Sequence, residues 1–154
     1  MDRTSINSKE IQADIETVWN AFTEKKALEY WLAPYGMTGK IHDFDLKVGG
    51  GYEMSLYYKD NKTQGKTSGN EDRFSATFTE IKPFERIVQT INFQSDNSKF
   101  KDEMTMQVQL DKLDTNSTKV TIIFRNIPTG IDPKDNEDGT EQSLQKLAKF
   151  IESK

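Results

Sequence analysis

The C-terminal segment sets the strongest constraint on what this chain can fold into. Leu144, Leu147, Ala148 and Ile151 fall at i, i+3, i+4 and i+7, which gathers aliphatic side chains on one face of a helix. Upstream, Asp132 precedes Pro133, the order of an N-cap followed by a proline at the first helical position, where the missing N–H costs nothing. Burying aliphatic side chains of this size is worth roughly 1.5–3 kcal/mol each as an upper estimate, so the stripe must lie on another element. Gly139 costs about 1 kcal/mol relative to Ala in a helix interior. Either the helix begins after it or the backbone there passes close to something.

The partner is a sheet, because period-two patterning dominates the middle of the chain. Lys40 to Leu46 places His42, Phe44 and Leu46 on one face and Ile41, Asp43 and Asp45 on the other. Tyr52, Met54, Leu56 and Tyr58 share a face, as do Phe74, Ala76, Phe78 and then Ile81 before Pro83. The same alternation gathers Ile87, Gln89, Ile91 and Phe93, then Met104, Met106, Val108 and Leu110, then Val120, Ile122 and Phe124. Connections such as SDNSK and DTNS are too short for parallel crossovers, so these segments predict a curved antiparallel meander. Thr4 to Ala13 reads as a first strand, and the polar tract Lys59 to Arg73 as an exposed connection.

Between the first strand and the meander the spacing is helical. Ile15, Val18, Trp19 and Phe22 form one stripe behind the N-cap Asp14, with Glu16 in the first turn where the helix dipole favours an acid. Ala27, Leu28, Trp31 and Leu32 form a second, which Pro34 should stop. Two short helices follow, with Trp19 in the seam between the first of them and the sheet. The triplet Gly49-Gly50-Gly51 is read as a turn or bulge rather than a phosphate cradle.

The chain's 154 residues suit one domain, residues 1–154, and the modest apolar share of 34 % suits a core that is narrow or partly hollow. The absence of cysteine excludes disulfides, thiolate catalysis and thiolate metal sites. A net charge of −4 opposes attraction to phosphate backbones, so nucleic acid is not expected as a partner. No apolar run approaches the roughly 20 residues of a membrane span, and MDRTSINSKE lacks a signal pattern, so the expected location is cytoplasmic.

Few motifs promise chemistry, and no cofactor is implied. Gly65-Lys66-Thr67 ends like a phosphate-binding loop, but the first glycine of that pattern would fall at Asp60. Lys134 to Gln145 approximates a calcium loop but begins on Lys134 and ends on Gln145. The sequons at Asn61 and Asn116 carry no meaning without secretion. His42 is the only histidine, so no multi-histidine metal site exists. It is the single weak catalytic candidate: on the face of Phe44 it would point inward as a proton acceptor, and the plainer reading makes it a hydrogen-bonded or edge residue. Glu80, Glu85 and Arg86 read as a solvated polar set near a strand turn.

The run IETVWNAFTEKKALEYW, the segment FDLKVGGGYE, the string PFERIV, and IP followed by DGTEQSLQKLAKFIE together resemble bacterial proteins similar to the C-terminal domain of the activator of Hsp90 ATPase. That family lies within the START-like, Bet v 1-like superfamily, which includes polyketide cyclases and lipid-transfer proteins. The resemblance spans nearly the whole chain and implies an α+β helix-grip: a curved antiparallel sheet wrapped around a long C-terminal helix, with two short helices after the first strand and a cavity between. Thr140 stands where many relatives carry Trp, a change expected to widen the cavity mouth.

In that topology Trp31, Tyr52, Met54, Tyr58, Phe78, Phe93, Met104, Met106 and Phe124 fall on inner faces or at the mouth, with Leu144 and Leu147 facing them from the helix. Any one of them alone reads as core packing. Together they predict a cavity for a small hydrophobic molecule, a lipid or an aromatic, polyketide-like compound. Two other readings stand beside it. One is a cyclase-like or hydrolytic enzyme using polar cavity groups. The other, implied only by the family's name, is a chaperone-associated stress-response module with an Hsp90-type partner, although the chain has no room for the additional N-terminal domain of the eukaryotic activator.

Overall fold

The computed structural model describes residues 3–59, 71–95 and 97–153. Strand β1 (Ser5–Ile11) is followed by helices α1 (Ile15–Thr23) and α2 (Lys25–Trp31). The chain continues through β2 (Met37–Phe44), β3 (Gly51–Tyr58), β4 (Glu71–Lys82), β5 (Arg86–Phe93), β6 (Met104–Asp114) and β7 (Ser117–Arg125) to the long helix α3 (Pro133–Glu152). The seven strands form one antiparallel sheet in the order β1-β7-β6-β5-β4-β3-β2, so β2 to β7 are a meander and β1 closes against the last strand. This is the helix-grip. The sheet curls around α3, and α1 and α2 close the remaining side.

The local chemistry explains each element. Asp14 caps α1 by accepting from Thr17 N at 2.8 Å, and Asp132 caps α3 by accepting from Lys134 N at 2.9 Å with Pro133 next in line. Trp19 is buried on α1, with its ring 5.8 Å from that of Phe84 in the β4–β5 turn. Trp31 is fully enclosed: its Nε1 donates to Ala21 O at 2.8 Å, and Phe22 meets its ring edge-on at 4.7 Å. The glycine triplet serves the β2–β3 turn. Gly49 holds φ +88°, and a Cβ on Gly51 would stand 1.8 Å from Ala76 O of the neighbouring strand. That close approach is to backbone, so the triplet is a turn.

Several expectations are corrected here. β2 carries a bulge between Ile41 and Asp43, and the extra residue lets Ile41 and Phe44 both turn inward while His42 is left on the outer face. Simple alternation had paired His42 with Phe44. A second bulge, between Phe78 and Glu80, keeps Phe78 and Ile81 both packed on the core despite their odd spacing. Lys134 to Gln145 lies inside α3, so it is helix and not a calcium loop. Gly139 lies inside the same helix, and a Cβ there would meet only Pro34 Cγ at 3.8 Å, so neither a later helix start nor a close backbone contact explains it. Asn116 lies in the β6–β7 turn. Gly65-Lys66-Thr67 and Asn61 fall outside the described residues, as does most of the Lys59 to Arg73 tract.

The edges of the sheet are covered. Glu29 of α2 reaches over β2 and accepts from Ile41 N at 2.7 Å, while α3 lies along β1, where Asn136 Nδ2 donates to Ser5 Oγ at 2.9 Å. Arg3 ties the start of β1 to the β7–α3 link, donating to Ile127 O at 2.6 Å, Pro128 O at 2.9 Å and also to Ile131 O. Among the described residues no helix is long and apolar enough to cross a membrane.

Candidate functional site

A cavity of about 470 Å³ lies between the concave face of the sheet and the first half of α3, within the size range of small-molecule sites, roughly 300–1,000 Å³. Its sheet wall carries Tyr52, Leu56 and Tyr58 from β3, Asp72 and Phe74 from β4, and Gln89, Ile91 and Phe93 from β5. Met104 and Met106 from β6 and Ile122 and Phe124 from β7 complete that wall. Facing it, α3 presents Asp135, Asn136, Gly139, Thr140 and Ser143. The rim is built by Leu32, Pro34 and Met37 after α2, by Phe100, and by Ile131 ahead of α3.

Three bonds from α3 hold the rim. Ser143 Oγ donates to Leu32 O at 2.9 Å, Lys146 Nζ to Ala33 O at 2.7 Å, and Tyr35 N to Gln142 Oε1 at 3.0 Å. The Lys146 ammonium also stands 4.7 Å above the Tyr30 ring. Partial burial lowers its pKa, and the charge of Lys59 adds to the effect.

Of the residues singled out from the sequence, Trp31, Tyr52, Tyr58, Phe93, Met104, Met106 and Phe124 meet on the cavity wall. Met54, Phe78, Leu144 and Leu147 do not line it. Met54 is fully enclosed between Ile41 and Phe74 of the neighbouring strands, with its methyl group under Gly39. Phe78 lies deeper, 5.9 Å from the Tyr52 ring and 6.3 Å from that of Phe44, and lines only a recess of about 10 Å³ beneath the cavity. Leu144 and Leu147 belong to the half of α3 that is seated against the core, and both are fully enclosed.

Gln89 is the wall residue whose role alternation alone does not reveal. Its carboxamide is buried, and Nε2 donates to Tyr52 OH at 2.9 Å and approaches Met106 Sδ at 3.4 Å. Burial pushes the Tyr52 phenol up to about 12, against a smaller opposing effect of the Gln89 bond, so it stays protonated through the neutral range. The signal was present in the sequence: Gln89 is the one polar residue in the inward stripe Ile87, Gln89, Ile91, Phe93. Nearer the mouth, Tyr58 OH donates to Asp72 Oδ2 at 3.0 Å, and Asp72 is itself buried.

His42 stands outside this site. On the outer face its Nε2 lies 2.9 Å from Ser55 Oγ, and Ser55 Oγ in turn donates to Glu71 Oε2. The serine's proton is therefore committed to the carboxylate, and the imidazole is the donor to the hydroxyl. Nucleophile activation requires the reverse, an imidazole accepting the serine's proton, and Ser55 is moreover fully buried. Glu80, Glu85 and Arg86 do meet, with Arg86 donating to Glu80 at 2.9 and 3.3 Å, on the half-exposed β4–β5 turn. Among the described residues no group of three or more His, Asp or Glu is placed to hold a metal ion.

A curled sheet that grips a helix and leaves an apolar chamber between them defines a helix-grip protein with an internal cavity. Residues 12–152 match the family described as Activator of Hsp90 ATPase homolog 1-like protein, and the chain belongs to that family. The crystal structure of protein CV1439 from Chromobacterium violaceum is 30 % identical, covers 97 % of each chain and superposes with a TM-score of 0.85. The solution structure of a protein from Arthrobacter aurescens shares 18 % identity over 98 % of this chain and 87 % of its own, with a TM-score of 0.82. DynU16, a protein from the dynemicin biosynthetic locus, shares the fold at 16 % identity and a TM-score of 0.71, over 99 % of this chain and 48 % of its own. No curated protein matches significantly.

Proposed function

We propose that the protein binds a small hydrophobic molecule, lipid-like or aromatic, in the chamber between the sheet and the first half of α3. The observation that supports this most directly is the cavity of about 470 Å³ walled by Trp31, Tyr52, Phe74, Phe93, Met104 and Phe124. Close-packed interiors leave few voids larger than a water molecule, so a space of this size inside an aromatic wall is suited to a guest. Methionines 104 and 106 adapt to the shape of what enters, and the aromatic rings supply area with little loss of side-chain freedom. Membership of a family whose members commonly bind hydrophobic ligands points the same way. The outward position of His42 removes the histidine on which a cavity-based proton-transfer reading rested.

Titration with the neutral fluorophore N-phenyl-1-naphthylamine tests the reading. The wild type should enhance the dye's emission saturably. Thr140→Trp, which extends a ring into the cavity from α3, should weaken binding tenfold or more on the order of 1.4 kcal/mol while melting within a few degrees of the parent. Equal dye affinity in the two proteins would place the dye elsewhere and defeat the proposal.

A further inference from the structure

We infer that the inner end of the cavity recognises one uncharged hydrogen-bonding group, a hydroxyl or carbonyl on an otherwise apolar ligand, through the paired side chains of Tyr52 and Gln89, and discriminates against carboxylates. This rests on the binding role proposed above and specifies its ligand class.

Tyr52 and Gln89 are both buried, and with Met106 they line the large cavity and also the recess of about 10 Å³ beneath it that Phe78 borders, which puts the pair at the chamber's inner end. The neighbouring inward positions on β5, Ile87 and Ile91, are aliphatic, and so is Val108 beyond Met106 on β6. An amide in such surroundings costs free energy unless its polar atoms are satisfied, yet only one half of this amide is used. Gln89 Nε2 donates to Tyr52 OH, whereas among the described residues no bond reaches Gln89 Oε1 and none uses the phenol's own proton. If the amide is turned over, Oε1 accepts the phenol's proton and Nε2 takes the unspent position. Either way the pair keeps at least one donor and one acceptor. A hydroxyl can use both, and a carbonyl can accept from the donor.

Charge points in the same direction. Burial keeps the Tyr52 phenol neutral well beyond physiological pH, so the pair presents dipoles and no formal charge. Among the described residues lining the cavity, the charged ones are Asp72, Asp132 and Asp135, all acidic. A carboxylate brought to the inner end would lose its water without gaining a cation there, whereas a neutral polar group loses far less and regains its hydrogen bonds. The ligand class is therefore a neutral alcohol, phenol or ketone with an apolar body, rather than a fatty or aromatic acid.

The test displaces N-phenyl-1-naphthylamine with three probes of one shape: naphthalene, 2-naphthol and 2-naphthoate. In the wild type 2-naphthol should bind roughly three- to tenfold more tightly than naphthalene, the factor one net hydrogen bond supplies, and 2-naphthoate more weakly than either. Tyr52→Phe and Gln89→Leu should each reduce the ratio of naphthol to naphthalene affinity to less than about twofold, whatever either does to naphthalene itself. Gln89→Met, closer in length, replaces Gln89→Leu if the latter fails to fold, and the wild-type ranking decides if no variant folds. Equal binding of naphthol and naphthalene, an advantage untouched by both substitutions, or tightest binding of naphthoate would each overturn the inference while leaving the cavity's binding role intact. No displaceable dye in the wild type would overturn both.

Discussion

In the first half of α3 the positions facing inward are Asn136, Gly139, Thr140 and Ser143, and in the second half they are Leu144, Leu147, Ala148 and Ile151. Both sets stand at i, i+3, i+4 and i+7, so the helix offers the sheet one continuous face. The difference is side-chain volume and polarity. Asn136 reaches only the edge strand β1, and Gly139, Thr140 and Ser143 stop short of the facing wall and leave the chamber open, whereas the leucines and Ile151 reach the core and fill it. A cavity thus arises without any break in the helix, from the choice of residues along a single stripe. The small residues are held in other ways: Ser143 bonds the rim at Leu32 O, and Thr140 Oγ1 donates to Asn136 O at 2.8 Å within the helix.

The two halves must therefore respond differently to substitution. The largest effect is expected in the filled half, where Leu147→Ala should destabilise by roughly 2–5 kcal/mol because it removes a fully enclosed side chain from a close-packed region. A urea midpoint close to that of the parent would show that this half is as loosely packed as the other. Next in size is an alkaline effect on the sheet wall opposite the open half. The Tyr52 phenol titrates near 12 in the fold against 10.0 as the ordinary value, so above pH 10 the unfolded chain releases a proton that the folded one retains. The stability present below pH 10 should fall by roughly 2–3 kcal/mol as the pH rises toward 12. Tyr52→Phe should lack that component, and identical pH profiles for the two proteins would contradict the burial of the hydroxyl.

Met54→Trp sharpens the comparison on the β3 side. Met54 is enclosed beneath Gly39, so the larger ring should overpack the core and destabilise by about 1–3 kcal/mol, while Thr140→Trp at the open half leaves the melting temperature nearly unchanged. Equal melting temperatures for the two variants would erase the distinction between core and chamber. The smallest effect has the opposite sign. Gly139→Ala should stabilise by about 1 kcal/mol, since its Cβ meets only Pro34 Cγ at 3.8 Å. That corresponds to a rise in melting temperature of roughly 2–4 °C, and a fall would mean that the helix at the mouth is strained in a way its geometry does not display.

Much of this fold was legible because it depends on periodicity. The two short helices, the terminal helix with its cap at Asp132, and the inward stripes of β3, β5, β6 and β7 all follow from spacing and capping chemistry. The site was legible in part. Tyr52, Tyr58, Met104, Met106 and Phe124 were identified because an inward stripe on a curved sheet faces the gripped helix. Gln89 was visible in its stripe as a polar exception, but whether it meets Tyr52 OH depends on the β3–β4 and β4–β5 registers that place the two strands across β4 from one another. Alternation put His42 on the face of Phe44 because a bulge changes the parity of a strand, and the sequence of β2 has no proline or paired glycine at Ile41 to mark one, while the plainer reading of His42 as a hydrogen-bonded residue agrees with its bond to Ser55.

What the sequence determined by itself was the set of elements and their faces, since hydrophobic spacing, caps and glycine turns act over a few residues and are written locally. What only the tertiary structure decided was which apolar residues are wall and which are core. Met54 lies between Tyr52 and Leu56 on one inward stripe, yet it is fully enclosed while its two neighbours line the chamber. That difference is set by what stands opposite: α2 and Gly39 close over Met54, whereas the small side chains of α3 stop short of the wall formed by Tyr52 and Leu56. Enclosure depends on the volumes of residues distant in sequence that meet across the grip, and no local pattern carries that information.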